Sequence, residues 1–397
     1  MMIIPKADRL QNVQEYYFAR KLAEVRALAA KGKQIINLGI GNPDQLPSAA
    51  TVAALTNSAA EPQSHGYQSY NGIVSLREAI ATWYGQAYNV TITEAEVLPL
   101  MGSKEGIAHI SMAFLNPGDK VLVPNPGYPA YAAAARLAGA EPVSYNLDEE
   151  NGWLPQEEEL LQLVNEGNVK LMWVNYPHMP TGTEATAELF ERLITFARQH
   201  QILLINDNPY SLVLPNQSPL SLLSIAGAKD CCLELNSLSK SHNMAGWRVG
   251  MVLGHPEYLS TILAVKSNMD SGMFLPVQQA AIEALQNDHE WHTARNEEYA
   301  RRKVLVHRLL DTLECQYQQH TVGMFVWARV PDHIADVEVY LDDILYGAGV
   351  FITPGKIFGT QGERYLRVSL CVAEPQLEEA IKRIKQHILQ TVSHELK

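Results

Sequence analysis

The stretch Cys231-Cys232-Leu233-Glu234-Leu235-Asn236-Ser237-Leu238-Ser239-Lys240-Ser241-His242-Asn243-Met244-Ala245-Gly246-Trp247-Arg248-Val249-Gly250 decides how this chain is read. Its opening five residues are short and largely apolar, the pattern of a buried strand, so Lys240 lies just past a strand's carboxyl end, where open α/β sheets bind ligands. Hydroxyls stand one and three residues before the lysine (Ser239, Ser237), and Arg248 follows eight residues after it. An amine condenses with a carbonyl only when unprotonated, and a lysine loses its proton readily when desolvated or set beside another cation. Arg248 supplies such a cation while its planar fork, with the two hydroxyls, suits a phosphate. The pattern therefore fits a phosphorylated cofactor that carries a carbonyl. Taken alone, Ser-Leu-Ser-Lys also fits a plain surface loop; the strand before it makes it a candidate site.

At 397 residues, 47% hydrophobic and 19% charged, the chain has ordinary globular usage and length for two domains. A formal charge of -12 argues against a nucleic-acid partner, so any anion site must be local. Cys231, Cys232, Cys315 and Cys371 show neither metal-ligand nor disulfide spacing, which implies no metal centre and a reducing cytoplasm. The N-terminal Met1 to Arg9 is too short an apolar stretch for a signal peptide, and no run approaches the ~18 apolar residues of a membrane span. No membrane association is expected.

Val13, Phe18, Leu22, Val25 and Leu28 recur at helical spacing, and Gly32 stops that helix. A short strand from Gln34 leads into the loop Gly39-Ile40-Gly41-Asn42-Pro43. From about residue 70 to 255, buried strand runs (Val121 to Val123, Leu171 to Val174, Ile202 to Ile205, Cys231 to Leu235) alternate with helical ones such as Ala187 to His200. After about residue 285 come a helix from Arg295 to Leu313, a strand within Thr321 to Val330, a helix from Asp336 to Tyr346, a strand from Arg364 to Cys371, and a last helix. The expected fold is α/β: a large domain with a mostly parallel sheet flanked by helices, plus a smaller α+β domain formed by both termini. The expected boundaries are residues 1–46 (arm and part of the small domain), 47–285 (large, cofactor-binding) and 286–397 (small).

Other candidates fall at predicted strand ends. Asp207 follows a buried strand and suits a protonated pyridine nitrogen, while Tyr210 suits a phenolic oxygen. Met101-Gly102-Ser103-Lys104 reads as a glycine turn entering a helix, whose N-terminus favours phosphate. Tyr128 sits in a proline-rich loop from which it can stack on a flat ring. His178 lacks ligand-spaced partners for a metal. Alternation from Tyr365 to Leu370 places Arg367 on a strand face with Tyr365 and Ser369, a polar setting for gripping a carboxylate.

With these residues in place, the chain resembles a fold-type I pyridoxal-phosphate aminotransferase of the class I/II group, from about Asn37 to the C-terminal helix. The resemblance implies that Lys240 carries pyridoxal 5'-phosphate as a Schiff base and moves the substrate's α-proton in ping-pong half-reactions between an amino acid and a 2-oxo acid. It implies Ser237, Ser239, Arg248 and the Ser103 and Lys104 backbone on the phosphate, Asp207 on the pyridine nitrogen, Tyr210 on the phenolic oxygen and Tyr128 on the ring. Arg367 and the Gly41 backbone would hold the α-carboxylate. The segment His65 to Gly72 also matches, and implies a homodimer in which Tyr67 reaches the neighbouring subunit's phosphate. One departure stands out: Met179 replaces the asparagine of the family's Asn-Pro-Thr-Gly, and methionine cannot donate its bonds. Asn175, His178 or a water is the candidate substitute. Lys266 to Phe274 is similar to a segment of a subgroup that includes LL-diaminopimelate, alanine and aspartate aminotransferases. The alternatives are a C-S lyase of the same fold and a non-catalytic cofactor-sensing module, the latter short of room for a DNA-binding domain.

Overall fold

The computed structural model describes residues 4–10 and 17–395. The expected strand runs pair in a seven-stranded sheet in the order Val97–Leu100, Gly250–Gly254, Cys232–Ser237, Leu203–Asp207, Val169–Val174, Lys120–Asn125, Glu141–Asn146. Gly250–Gly254 alone runs antiparallel to its neighbours. Side chains alternate between the two faces of a strand, and here both faces are apolar. Leu122, Met172, Leu204, Cys232 and Met251 pack with Ile80 and Trp83 of helix Val74–Tyr88 and with Leu189 and Leu193 of helix Ala187–Gln199. Val121, Leu171, Ile205, Leu233 and Val252 pack with Ile107 and Ile110 of helix Ser103–Phe114 and with Leu259 and Ile262 of helix Pro256–Lys266. Two-sided burial is why these strands read as near-continuous apolar runs.

The second unit is a four-stranded antiparallel sheet in the order Thr353–Pro354, Tyr365–Ser369, Phe325–Arg329, Gln316–Tyr317. Beside it, Ile36–Asn37 from the other end of the sequence pairs in parallel with Val350–Phe351 as a separate two-stranded sheet. Leu38 continues the link, donating to Phe351 O at 2.8 Å and accepting from Ser369 N–H at 2.7 Å. The N-terminal helix spans Tyr17–Ala30, and Val13 lies outside the described residues, as do residues 1–3 of the Met1 to Arg9 stretch. The helix expected to begin at Arg295 begins at His289, because Asp288 caps it by accepting from Trp291 N–H at 2.9 Å. No helix among the described residues is long and apolar enough to cross a membrane.

Beneath the sheet edge lies Glu234, buried and mid-strand. Its carboxyl accepts from Tyr84 Oη (3.0 Å), Ser221 Oγ (2.8 Å) and Leu222 N–H (2.8 Å), and lies 3.3 Å from Asn206 Nδ2. Burial pushes its pKa up, while these donors pull it down. A Glu234→Ala change strands several buried donors, so stability should fall by about 3 kcal/mol or more. Glu234→Gln, which keeps an acceptor, should lose clearly less; urea unfolding midpoints compare the two.

Candidate active site

Parallel strands end on the same side, so Asp207 and Lys240 meet at one sheet edge. Asp207 closes Leu203–Asp207, and the adjacent Cys232–Ser237 runs into a single helical turn, Leu238–Ser241, that carries Lys240. A cavity of about 520 Å³ opens there. It is lined by Ser103, Lys104, Tyr128, Asn175, Asp207, Tyr210, Ser237, Ser239, Lys240, Arg248, Gly41 and Arg367, so every site residue expected within one chain, including the tentative Asn175, reaches a single space.

At one end, Gly102 precedes helix Ser103–Phe114 with φ 87°, a conformation glycine accepts readily. A Cβ there would also lie 2.1 Å from Arg248 Nη2, so the glycine lets the guanidinium close over the helix N-terminus. Arg248 donates to Ala245 O at 2.9 Å and to Ser239 Oγ at 3.4 Å. Ser237 Oγ donates to Ser239 Oγ at 2.7 Å and accepts from Ser239 N–H at 3.0 Å. Hydroxyls, a guanidinium and a helix N-terminus together make an anion cup.

In the middle, Asp207 Oδ2 accepts from Tyr131 Oη at 2.8 Å, and Tyr131 stacks on Trp173 at 4.9 Å. Asp207 Oδ1 has no hydrogen-bond partner among the described residues. Burial raises this carboxyl to about 7, against the pull of Tyr131 and with help from Glu234. Burial likewise lowers the Lys240 ammonium to about 8, with repulsion from Arg367 and Arg248 added. Lys240 Nζ donates to Gly41 O.

The far end departs from expectation. Arg367 is not among polar neighbours: the antiparallel register and the adjoining loops set its guanidinium 3.8 Å from the centre of the Phe325 ring and 4.6 Å from that of Phe358. It donates to Gly39 O at 2.8 Å and approaches Met179 Sδ at 3.1 Å. Tyr365 instead stacks on Trp327 at 5.0 Å. His178 does not face the cavity. It bonds Thr181 Oγ1 (2.8 Å) and Pro126 O (3.1 Å), so it replaces nothing at position 179. Asn175 donates to Asp207 O at 2.5 Å and accepts from Met179 N–H at 3.0 Å, which fixes the amide between the two strand ends. Tyr67 is 93% exposed and absent from its own chain's cavity lining.

The family described as aminotransferase class I and II matches residues 33–384. This chain belongs to it. An LL-diaminopimelate aminotransferase of Oleidesulfovibrio alaskensis is 40% identical over 385 residues, covering 95% of this chain and 98% of that protein. Among solved structures, substrate-bound BacF from Bacillus subtilis is 36% identical with a TM-score of 0.92, covering 97% of this chain and 98% of its own. Aspartate aminotransferase from Thermus thermophilus with maleate is 25% identical with a TM-score of 0.90, covering 97% of this chain and all of its own. The protein is thus a pyridoxal-phosphate-dependent aminotransferase of α/β fold, and the lyase and sensor alternatives are not favoured.

The aminotransferase's own residues fit that cofactor. A buried acid with one oxygen unpartnered needs a cation, which a pyridinium nitrogen is; an anion cup needs a phosphate; a depressed lysine needs a carbonyl. Sequence reading missed Tyr131, Phe325, Phe358, Leu22 and Ile40 as cavity walls. The only cue to Tyr131 was its place three residues after Tyr128 in the turn that starts helix Ala130–Leu137. Phe325 comes from another strand and Phe358 from the turn before Arg367's own strand, and both meet the guanidinium only through folding.

The Asp207 shift has a signed consequence. An aspartate near 3.9 when unfolded and about 7 when folded holds a proton in the native state that the unfolded chain has lost. Its contribution to the cofactor-free protein's stability therefore falls as pH rises from about 4 to about 7, then levels off. Asp207→Asn should gain on the wild type across that window, by up to a few kcal/mol. Unfolding of both cofactor-free proteins against pH measures it, and a flat difference would exclude Asp207 as the source.

Proposed function

We propose that this enzyme transaminates an α-amino acid held by its carboxylate on Arg367 and the Gly41 backbone, with Lys240 Nζ as the proton carrier. The observation that carries the reading is the pairing of a depressed lysine and an orphaned buried aspartate across one cavity. Ser237, Ser239, Arg248 and the Ser103 and Lys104 backbone would take the cofactor phosphate, Asp207 its ring nitrogen, Tyr210 its phenolic oxygen and Tyr128 a ring face. When bound, the cofactor supplies a carbonyl for the amine and an electron sink for the substrate's α-carbon.

The protein supplies the rest. With a pKa of about 8, Lys240 Nζ accepts the α-proton near neutral pH and can return it, which is the requirement for a group acting as base in one direction and acid in the other. Arg367 fixes the carboxylate end through a planar fork already anchored to Gly39 O. Asp207 would move from raised to ionised when a pyridinium sits at Oδ1, since an opposite charge in contact offsets its desolvation.

We extend this to a homodimer with shared sites, because Tyr67, Tyr70, Val74 and Phe274 form an exposed apolar and aromatic group that includes the residue matched to a partner-reaching role. Residues 1–46 and 286–397 then act as the small domain and 47–285 as the cofactor-binding one, the division suggested by the two main sheets. Four free thiols suit a reducing cytoplasm. Diaminopimelate, the substrate named for the curated relatives, is one candidate donor.

Lys240→Ala should lower turnover by roughly 10²–10⁴-fold or more, and added small primary amines should restore part of it by replacing the missing base. A variant with unchanged turnover sinks the lysine assignment. Shared sites predict complementation: mixing Lys240→Ala with Tyr67→Ala, each poorly active alone, should regain activity in mixed dimers, where one of the two sites has both native residues. No gain on subunit exchange would count against Tyr67 acting across an interface.

A further inference from the structure

Two loops, one from each main sheet, are bonded to each other beside the cavity. The first follows strand Lys120–Asn125 of the seven-stranded sheet and carries Tyr128. The second joins Thr353–Pro354 to Tyr365–Ser369 of the four-stranded sheet and carries Phe358. Tyr128 and Phe358 both line the cavity, and the Phe358 ring is one of the two that lie against the Arg367 guanidinium. Asn125, where the loops meet, is buried and is not itself a lining residue.

The hydrogen bonds settle which way the Asn125 amide faces. Glu159, in helix Glu157–Asn165, accepts from Asn146 N–H at 2.9 Å and from Asn146 Nδ2 at 2.8 Å. A carboxylate offers no donor, so Asn146 turns its Nδ2 to Glu159 and its Oδ1 away. Asn125 Nδ2 donates to that Oδ1 at 2.9 Å and to Thr360 Oγ1 at 2.8 Å, which uses both of its hydrogens. Asn125 Oδ1 then faces the second loop, where it accepts from Gln361 N–H at 3.2 Å. The backbone adds a further tie, from Gly127 N–H to Phe358 O at 2.8 Å. Between these contacts stands Gly359, with φ 134°, where a Cβ would overlap Asn125 Oδ1. A residue without a side chain lets the loop seat this closely on the amide.

We infer that Asn125 is a positioning residue: it seats the Phe358 loop on the Tyr128 loop and, through the Phe358 ring, holds the Arg367 guanidinium for the substrate carboxylate. The inference rests on Arg367 as the carboxylate anchor proposed above. Phe358 gives the guanidinium one of its two ring faces, and drift of the loop removes that face while Phe325 and Gly39 O remain. The grip on a carboxylate then weakens without being lost. Thr360 is exposed, so a change there breaks the tie between the loops without opening the core.

The holoenzyme is titrated by calorimetry with two unreactive acids, maleate and 3-phenylpropionate, and the tighter is kept as the probe. Thr360→Val deletes the hydroxyl that receives Asn125 Nδ2 and should weaken probe binding about three- to tenfold, the worth of one hydrogen bond. Thr360→Ser keeps the hydroxyl and should stay within about twofold of the wild type. Asn125→Ala should weaken binding at least about tenfold, and the double variant should lie within about twofold of it, because both changes remove the same bond. In half-reactions with the best donor among alanine, glutamate, phenylalanine and LL-diaminopimelate, the apparent dissociation constant should rise in step while the limiting rate moves less than about twofold. A merely structural role would lower the urea midpoint of Thr360→Val and leave probe binding unchanged, which overturns the inference. Equal weakening by Thr360→Val and Thr360→Ser, additive effects in the double variant, or a wild type that binds neither acid overturns it too. Should Asn125→Ala fail to fold, the two Thr360 variants decide. If no amino acid converts the cofactor yet probe binding still follows the Thr360 hydroxyl, the positioning role stands and the transaminase assignment falls.

Discussion

Everything at this site depends on the parallel pairing of Leu203–Asp207 with Cys232–Ser237. Parallel strands deliver their carboxyl ends to one edge, and the register that sets Asp207 opposite Leu235 puts the aspartate and the turn bearing Lys240 on the same rim. The pairing is held from below by polar groups where apolar packing alone would permit slippage. Asn206 Oδ1 accepts from Tyr176 N–H at 2.9 Å on one neighbouring strand's extension, and its Nδ2 reaches Glu234 on the other. A one-residue slip of either strand would turn its acid to the other face, Asp207 away from Tyr131 or Glu234 away from Tyr84 and Ser221. Buried networks of this kind are costly when broken, which makes the register firm.

The same burial drives two ionisable groups toward neutrality from opposite sides: Asp207 up to about 7, Lys240 down to about 8. A rim that holds an acid and a base both close to neutral pH is suited to receive a charged ring and a carbonyl with little rearrangement. The second sheet supplies the other half of the cavity through a short crossing of the chain. Gly39 and Gly41 pass so close to Phe351 and Phe325 that a Cβ at either would lie 2.4 Å or less from a ring atom. Beyond them Asp44 takes a bidentate grip from Arg302 at 2.6 and 2.9 Å, tying this crossing to helix His289–Thr312. The carboxylate end is therefore set by the packing of two sheets, while the cofactor end is set within one.

That division explains what could be read from sequence. Strand runs buried on both faces, the lysine turn, the glycine turn before Ser103 and the acid after Ile205 are local patterns, and each marks a strand end by itself. The observed strands agree with them to within about three residues at either end. The environment of Arg367 was not legible, because alternation along Tyr365–Ser369 shows which face it shares but not what the opposing elements present to that face. Alternation alone suggested polar company. Packing of Phe325 and Phe358 across the face made it aromatic. For the same reason Leu22, from a helix more than three hundred residues away in sequence from Arg367, was invisible as a wall of the same cavity.

Met179 belongs with this second kind of information. In sequence it is a missing amide, and the natural question is which neighbour replaces it. The fold shows the neighbours already committed: Asn175 bridges Asp207 O and Met179 N–H, and His178 is locked between Thr181 and Pro126. A thioether is a weak acceptor, so at 3.1 Å it steadies Nη1 of Arg367 without satisfying it as an amide oxygen would. The guanidinium is held in place mainly by ring faces, which attract a cation without using up its N–H donors. Loss of the amide thus leaves the arginine oriented by the Phe325 and Phe358 rings and by Gly39 O, and puts a thioether where the family carries an amide. The substitution is consistent with its surroundings, since the Phe325 and Phe358 rings flank the same guanidinium that the thioether approaches.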